Sequence, residues 1–160
     1  MKLFCAAAFA AALMFVSQSA LAQSDPSLSA EANQAFLAQN AKAPGVTVLS
    51  DGLQYTVLAE GAGIRPQSTD KVDVLYSGLL INGKVFDRTQ AGSPATFTVY
   101  QLIPGWIEAL LKMRPGAHWH IVIPANLAYG ERGAGNGLVP PNQTLVFDME
   151  LVAVHRAGEQ

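Results

Sequence analysis

The alternation of hydrophobic and polar positions predicts a set of β-strands over most of the chain. Apolar residues occupy every second position in residues 52–58 and again in residues 144–154, as in strands that bury one face. Further β-type runs cover residues 71–81, 84–86, 95–100 and 117–124. The pattern therefore predicts an antiparallel sheet of about five strands, since closely spaced strands joined by turns pair most readily in this way.

One stretch, residues 102–113, has the periodicity of a helix. Trp106, Leu110 and Met113 recur at the spacing that places them on one face, and Pro104 suits a first helical turn. The breakers in Arg114-Pro115-Gly116 end the run. Because the apolar face must be covered, we expect an α+β fold in which the sheet wraps around this single short helix.

Asn82-Gly83, between two of the strands, predicts a tight hairpin turn in which both central residues have positive φ. Residues 87–94 are polar and predict a loop or bulge. The connection of residues 125–142 is long, and long loops in compact domains often carry function.

A second helical pattern precedes the sheet and runs from Ser29 to about Lys42. Phe36 and Leu37 are its only large apolar residues, and Ala43-Pro44-Gly45 ends it. This thin apolar face favours a helical arm, frayed or lying on the domain, over a dimerisation module. We expect an arm and linker at residues 23–45, a folded domain at 46–156 and a tail at 157–160.

The first 22 residues have the pattern of a cleaved signal peptide. Lys2 precedes an apolar run at residues 3–16, and Ala20-Leu21-Ala22 forms a cleavage site. The alternative is a retained membrane anchor, but the run is shorter than the roughly 20 residues that span a bilayer. We therefore expect cleavage after Ala22, no membrane span in the mature chain, and a periplasmic or secreted protein.

Composition and charge then exclude several classes of function. The chain is 50% hydrophobic and 14% charged, as in globular proteins. Its one cysteine, Cys5, lies in the predicted leader, so cleavage leaves no thiol for a disulfide, a nucleophile or a metal site. Cleavage also leaves nine cations against twelve anions, a formal charge of −3. A mildly acidic chain without a basic run argues against nucleic acid as a partner.

Candidate catalytic groups are sparse. No nucleophile–base pair is visible, and the glycine-rich run of residues 133–137 precedes two prolines, where a phosphate loop would need a helix. His118 and His120 share one strand face and are a possible start of a metal site, but no third ligand follows from spacing. We therefore expect neither a metal nor a cofactor.

Aromatic and branched residues beside turn signals are the remaining feature, and they fall in seven short motifs. The motifs are Tyr76-Ser77-Gly78, Gly83-Lys84-Val85-Phe86-Asp87, Leu102-Ile103-Pro104-Gly105-Trp106, Ile123-Pro124, Leu127-Ala128-Tyr129-Gly130, Pro140-Pro141-Asn142 and the run of residues 144–151. In this order the chain resembles FKBP-type peptidyl-prolyl cis-trans isomerases over about residues 52–154. The leader and arm resemble the exported bacterial, macrophage infectivity potentiator-like branch.

The resemblance implies a sheet wrapped around one helix and an apolar pocket. It implies catalytic roles for Phe86, Asp87 and Tyr129. It implies substrate binding by a larger set: Tyr76, Phe97, Leu102, Ile103, Trp106, Leu138, Val139 and Phe147. Trp106 would form the floor, and Leu138 and Val139 would lie on a flap that closes one side. For Asp87, a turn-forming cap is equally compatible with the sequence.

The function implied is isomerisation of X–Pro bonds in exported proteins as they fold, by desolvation and hydrogen bonding without covalent chemistry. The partners are then proline-containing unfolded polypeptides, with macrolides as inhibitors, and the protein is expected to be a monomer. Two alternatives use the same pocket. One is a holdase-type chaperone or peptide-binding module, and the other is a carrier of small apolar ligands.

Overall fold

A seven-stranded antiparallel sheet wraps around the short helix predicted from the sequence. The structure, a computed structural model, describes residues 25–158. Its strands are β1 (Thr47–Val48), β2 (Gln54–Ala59), β3 (Lys71–Leu80), β4 (Val85–Arg88), β5 (Ala95–Thr98), β6 (His118–Ile123) and β7 (Leu145–His155). They lie in the order β1-β2-β6-β7-β3-β4, with β5 also paired to β3. The α+β fold is confirmed, whereas the strand count of about five was too low.

The inner face of the sheet packs on helix α2 (Pro104–Lys112). Leu145, Phe147, Met149 and Leu151 of β7 are at most 2% exposed, as their alternation predicts. Pro104 occupies the first turn of α2, where no intrahelical acceptor is available for an N–H. The fold therefore fixes the start of α2 against the centre of the sheet.

A second helix, α1 (Ala30–Asn40), lies on the outer face of the sheet at one end. Ser29 caps it by accepting a hydrogen bond from the Ala32 amide. Gln54 of β2 donates to the Leu37 carbonyl at 3.0 Å and accepts from Asn40 at 2.8 Å. The helix predicted in this region is confirmed, and it lies on the domain.

The hairpin between β3 and β4 differs from the predicted turn. Gly83 has φ of 83°, but Asn82 does not have positive φ. The Leu80 carbonyl accepts from the Gly83 amide, and the Leu80 amide donates to the Lys84 carbonyl. One left-handed residue therefore closes the turn, and the Asn82 side chain accepts from the Lys84 amide at 3.1 Å.

Two other boundaries predicted from the sequence were wrong. Asp87 and Arg88 belong to β4, so the polar loop begins later than predicted. Residues Val99–Gln101 form a 3-10 turn after β5 and do not extend the strand. This turn redirects the chain into α2.

The connection between β6 and β7 contains three short 3-10 turns, and we refer to its residues 125–142 as the flap. Among residues 25–158, no helix is long and apolar enough to cross a membrane. The predicted signal peptide lies outside the described residues.

The C-terminal end of the chain is held by a buried carboxylate. Asp70, which precedes β3, is 1% exposed. It accepts hydrogen bonds from the amides of Gln67 and Ala157, and it pairs with the Arg156 guanidinium at 2.9 Å. Three donors from two segments thus compensate the cost of burying one charge.

Candidate functional site

An apolar cavity of about 220 Å³ opens between the inner face of the sheet and the start of α2. Its walls come from β3, β4, β5, β7, the entry to α2 and the flap. The lining residues are Tyr76, Phe86, Asp87, Phe97, Gln101, Leu102, Ile103, Trp106, Tyr129 and Phe147. The structure therefore brings together nine residues of the predicted site, from distant parts of the chain.

Trp106 forms the floor of this cavity and is 4% exposed. Its ring meets those of Tyr76, Phe97 and Phe147 edge-on, at centroid distances of 4.9, 5.7 and 5.2 Å. Edge-to-face pairs add to the energy of burial and fix ring orientation. The cavity is consequently a preformed aromatic box.

Glycine at position 78 makes room for two of the rings. A Cβ atom there would lie 2.7 Å from the Phe147 ring and 2.8 Å from the Phe86 ring, too close for either to stay in place. The motif Tyr76-Ser77-Gly78 thus supplies one ring of the box and the space for two others.

The polar groups of the cavity lie on one side. The Tyr76 hydroxyl donates to the Asp87 carboxylate at 2.6 Å. Burial, together with this bond and the charge of Asp87, raises the pKa of Tyr76 well above its ordinary value. Burial and the same carboxylate also raise the pKa of Tyr129. Both phenols therefore stay protonated at neutral pH, and Tyr129 keeps a donor.

The position of Asp87 argues against one of the two interpretations that the sequence left open, the turn-forming cap. It lies within β4, and its carboxylate accepts from a phenol across the hairpin. The turn-cap interpretation was therefore wrong.

Two residues that line the site have an N–H donor without a protein acceptor among residues 25–158. Within residues 25–158, the Ile103 amide has no hydrogen-bond partner, because it precedes the first turn of α2. In the same part of the chain, the buried Trp106 Nε1 also has none. An unpaired donor is costly, so the Ile103 amide favours a bound carbonyl, whereas Trp106 Nε1 is buried and shares its unpaired state with Trp119 Nε1 outside the cavity.

The flap residues Leu138 and Val139 do not line the main cavity. They line an adjoining one of about 240 Å³, which shares Phe86, Asp87 and Tyr129 with it. Val139 is buried and Leu138 is half exposed. The flap therefore forms a second compartment beside the aromatic box.

Gln101 lines the main cavity but was missed from the sequence. A single glutamine has no periodicity, and its only signal is its place directly before the motif that begins α2.

The predicted histidine pair lies elsewhere, on the outer face of the sheet. His120 Nδ1 is 2.8 Å from Asp148 Oδ1, and His118 lies opposite Glu150 in the strand register. In the part of the chain that the structure describes, no group of three or more His, Cys, Asp or Glu is arranged to hold a metal ion.

Comparisons with known proteins give two matches to family models. One is described as FKBP-type peptidyl-prolyl cis-trans isomerase and matches residues 63–152. The other is described as the domain amino terminal to FKBP-type peptidyl-prolyl isomerase and matches residues 5–57. The second match begins inside the predicted leader.

Two bacterial relatives are similar over most of the chain. The outer membrane protein MIP of Legionella longbeachae is 50% identical over 125 residues, which are 78% of this chain and 53% of the relative. The peptidyl-prolyl cis-trans isomerase Mip of Coxiella burnetii is 49% identical over 128 residues, which are 79% and 55%. The chain thus spans about half the length of these relatives.

Among solved structures, a peptidyl-prolyl cis-trans isomerase from Pseudomonas syringae pv. tomato is similar with a TM-score of 0.73 and 41% identity. The alignment covers 79% of this chain and 92% of that one. FkpA from Escherichia coli is similar with a TM-score of 0.74 and 42% identity, over 78% and 58% of the two chains.

Proposed function

Since this chain belongs to the FKBP-type peptidyl-prolyl cis-trans isomerase family, we propose that it catalyses the cis–trans isomerisation of X–Pro bonds. The observation that carries the proposal is the aromatic box above Trp106. It is bordered by the Tyr129 hydroxyl and by the Ile103 amide, which has no hydrogen-bond partner among the described residues. An apolar box of this size suits a proline ring, and the two donors suit the carbonyls beside it.

Isomerisation requires no bond to break, so no acid, base or nucleophile is needed. The barrier of about 18–20 kcal/mol arises because the planar amide loses resonance as it twists. The planar amide is more dipolar than the twisted one, so a dry cavity disfavours the planar form. Each ~1.4 kcal/mol of such preference increases the rate ten-fold. Trp106, Phe97 and Phe147 supply this dry surface.

The polar border would position the substrate. The Ile103 amide and the Tyr129 hydroxyl each donate to a substrate carbonyl. Asp87 holds the Tyr76 ring against Trp106 through its hydrogen bond with the Tyr76 hydroxyl. In this proposal its charge would lie beside the twisting amide. Phe86 packs on Phe147 and closes the outer wall. These assignments place Tyr129, Asp87 and Phe86 at the reacting bond.

The substrates in this proposal are proline-containing unfolded or partly folded polypeptides. A relative from Legionella longbeachae is named an outer membrane protein, and the first 22 residues have the pattern of a signal peptide. We infer that the chain is exported and acts on proteins of the cell envelope. Macrolide inhibition and a monomeric state belong to the same proposal.

A holdase-type chaperone or peptide-binding module is the second candidate. It is favoured by the compartment beside the box, where Leu138 is 50% and Tyr129 38% exposed. Exposed apolar residues at a cavity mouth can hold an extended chain without turnover.

An isomerisation assay on a short Xaa-Pro peptide separates the two candidates. The proposal expects the protein, at catalytic concentration, to accelerate an exchange that takes tens of seconds or longer unaided. Binding of unfolded protein with no acceleration of peptide isomerisation would leave only the second candidate.

Tyr129→Phe is expected to reduce kcat/KM moderately, because the ring stays and one hydrogen bond is lost. A net hydrogen-bond energy of about 0.5–1.5 kcal/mol corresponds to a two- to twelve-fold reduction. The peptide assay measures this, with Tyr100→Phe, an exposed tyrosine outside the cavity, as the matched control. Complete loss of activity in a folded Tyr129→Phe variant would contradict a hydrogen-bonding role.

The pH profile should be nearly flat between about pH 6 and 8, because the proposed hydrogen-bond donors, a phenol and a backbone amide, do not titrate there. The raised pKa values of Tyr76 and Tyr129 move their titration further above this range. Measuring kcat/KM over this range tests the point. A sigmoid centred near 6.5 that disappears in a His118→Gln/His120→Gln variant would indicate a histidine-dependent mechanism.

A further inference from the structure

The helix α1 contacts the base of the flap through one buried side chain. Asn33 is 5% exposed. Its Nδ2 donates to the carbonyls of Leu28 and Ser29 and to Gln143 Oε1, at 3.2, 2.9 and 3.2 Å. Its Oδ1 accepts from the Thr144 amide at 2.7 Å. Both ends of this amide are therefore used, and two of its partners lie where the flap joins β7.

Gln143 continues the contact into the flap. It is 6% exposed, and its Nε2 donates to the carbonyls of Leu28 and Pro141, each at 3.0 Å. Between these clamped positions lies Asn142, with φ of 59°. Asparagine adopts this left-handed conformation more readily than most non-glycine residues, and here it directly precedes the clamped Gln143.

Asn142 in turn connects the base of the flap to the cavity. Its amide donates to the Gly130 carbonyl at 2.7 Å, and Gly130 follows Tyr129 directly. Hydrogen bonds and one backbone link thus connect Asn33, through Gln143 and Asn142, to Gly130 beside Tyr129. The predicted boundary after residue 45 lies between Asn33 and its partners Gln143 and Thr144 in the sequence, although the three residues are in contact.

We propose that Asn33 is a positioning residue that fixes the base of the flap and, through it, Tyr129 at the main cavity and Val139 at the adjoining one. The helix α1 is then part of the site's scaffold and does not serve only as a connection to whatever precedes it. The positioning of the flap by Asn33 is independent of the reaction. Its effect on activity rests on the proposed isomerase function.

The substitution Asn33→Ala tests this inference. Alanine has a higher helix propensity than asparagine, so the substitution does not weaken α1 by itself. It leaves the Thr144 amide and Gln143 Oε1 buried without their partner, which is the costly way to lose a hydrogen bond. Gln34→Ala removes the same type of side chain from an exposed position of α1 and is the matched control.

The first measurement is amide hydrogen exchange on the full chain. We expect the Val139 and Asn142 amides to exchange about ten-fold faster in Asn33→Ala, with amides of β3 unchanged. We expect Gln34→Ala to match the parent at all of them. A uniform increase across sheet and flap, or no increase at the flap, would overturn the proposal.

The second measurement is isomerisation of the Xaa-Pro peptide. A loosened Tyr129 should raise KM about three- to ten-fold and change kcat less, because the aromatic box remains. If flap exchange rises but even the parent shows no isomerisation, the proposed function fails and the positioning role stands. If activity falls without faster flap exchange, the positioning role fails.

Gln143→Ala removes the other partner of the same contact. It keeps the proposal testable if Asn33→Ala folds poorly. It should loosen the same flap amides. The effect of the double variant should be smaller than the sum of the two single effects, because both remove one shared contact. Additive effects, or failure of both single variants to fold, would overturn a local role at the flap.

Discussion

We expect Trp106→Leu to lower kcat/KM for an Xaa-Pro peptide by about ten- to a hundred-fold, because the floor of the cavity loses its indole. Burying an aromatic or branched side chain is worth about 1.5–3 kcal/mol, and each ~1.4 kcal/mol is ten-fold in rate. Three edge-on neighbours depend on this indole for their orientation, so the loss extends beyond one contact.

A second buried tryptophan, Trp119, provides a control for the stability that Trp106→Leu loses. Trp119 is also buried, at 5% exposure, and its Nε1 also has no partner among the described residues. It stacks on Tyr55 at 4.3 Å and does not line the cavity. Trp119→Leu should therefore lose comparable stability and keep its kcat/KM below the melting temperature. Equal losses of activity in the two variants would mean that the cavity is not the catalytic site.

The largest effect on stability without a direct effect on the cavity is expected from Asp70→Asn. Removing one partner of a buried ion pair costs about 3–5 kcal/mol. We expect about 3 kcal/mol at neutral pH, the lower end of that range, since the Arg156 side chain keeps 25% exposure and can find water. Chemical denaturation of parent and variant measures the difference.

The pH dependence of this difference follows from the pKa of Asp70. Burial alone would raise it, but the hydrogen bonds from Gln67 and Ala157 and the charge of Arg156 outweigh burial, and the pKa is lowered. A lowered pKa in the folded state stabilises the protein above the unfolded value of about 3.9. The contribution is then lost as the pH falls through the folded value.

The parent and Asp70→Asn should thus converge in stability below about pH 4. Glu60→Gln, at an exposed carboxylate without a side-chain hydrogen bond among residues 25–158, should show no such convergence. If the difference in unfolding free energy between the parent and Asp70→Asn stays constant from neutral pH to about pH 3, the charge of Asp70 does not stabilise the fold.

The strands and the central helix could be predicted because burial on one face produces a periodic pattern of apolar residues in the sequence. The wrong predictions concern segments that have no such pattern. The two-residue strand β1 is too short for a pattern, and the 3-10 turn at Val99–Gln101 continues a β-type composition. At Asn82, the second positive φ that the dipeptide suggests is absent, and the side chain accepts from the Lys84 amide just before β4.

The aromatic members of the cavity were predictable because the motifs that carry them are specific. Their roles remain proposals, whereas their assembly around one cavity is a feature of the fold. Polar contacts over long distances were not predictable. Asn33 and Gln143 each look like an ordinary polar residue in the sequence, and nothing in their surroundings marks them as a pair. Leu138 and Val139 were placed on the right segment, but its division of the site into two compartments depends on the path of the flap.

The contact between α1 and the start of β7 also constrains the order in which parts of the chain can fold. Its two sides are separated by 110 residues, so the helix that leaves the ribosome early must wait for nearly the whole sequence before it finds its partner. Closing so long a loop is costly until the intervening strands have paired. The aromatic box needs Phe147 of β7, which follows Gln143 and Thr144 in the chain, so neither the box nor the flap contact can be complete until β7 has been synthesised. Both parts of the site therefore form late, when nearly the whole chain is available.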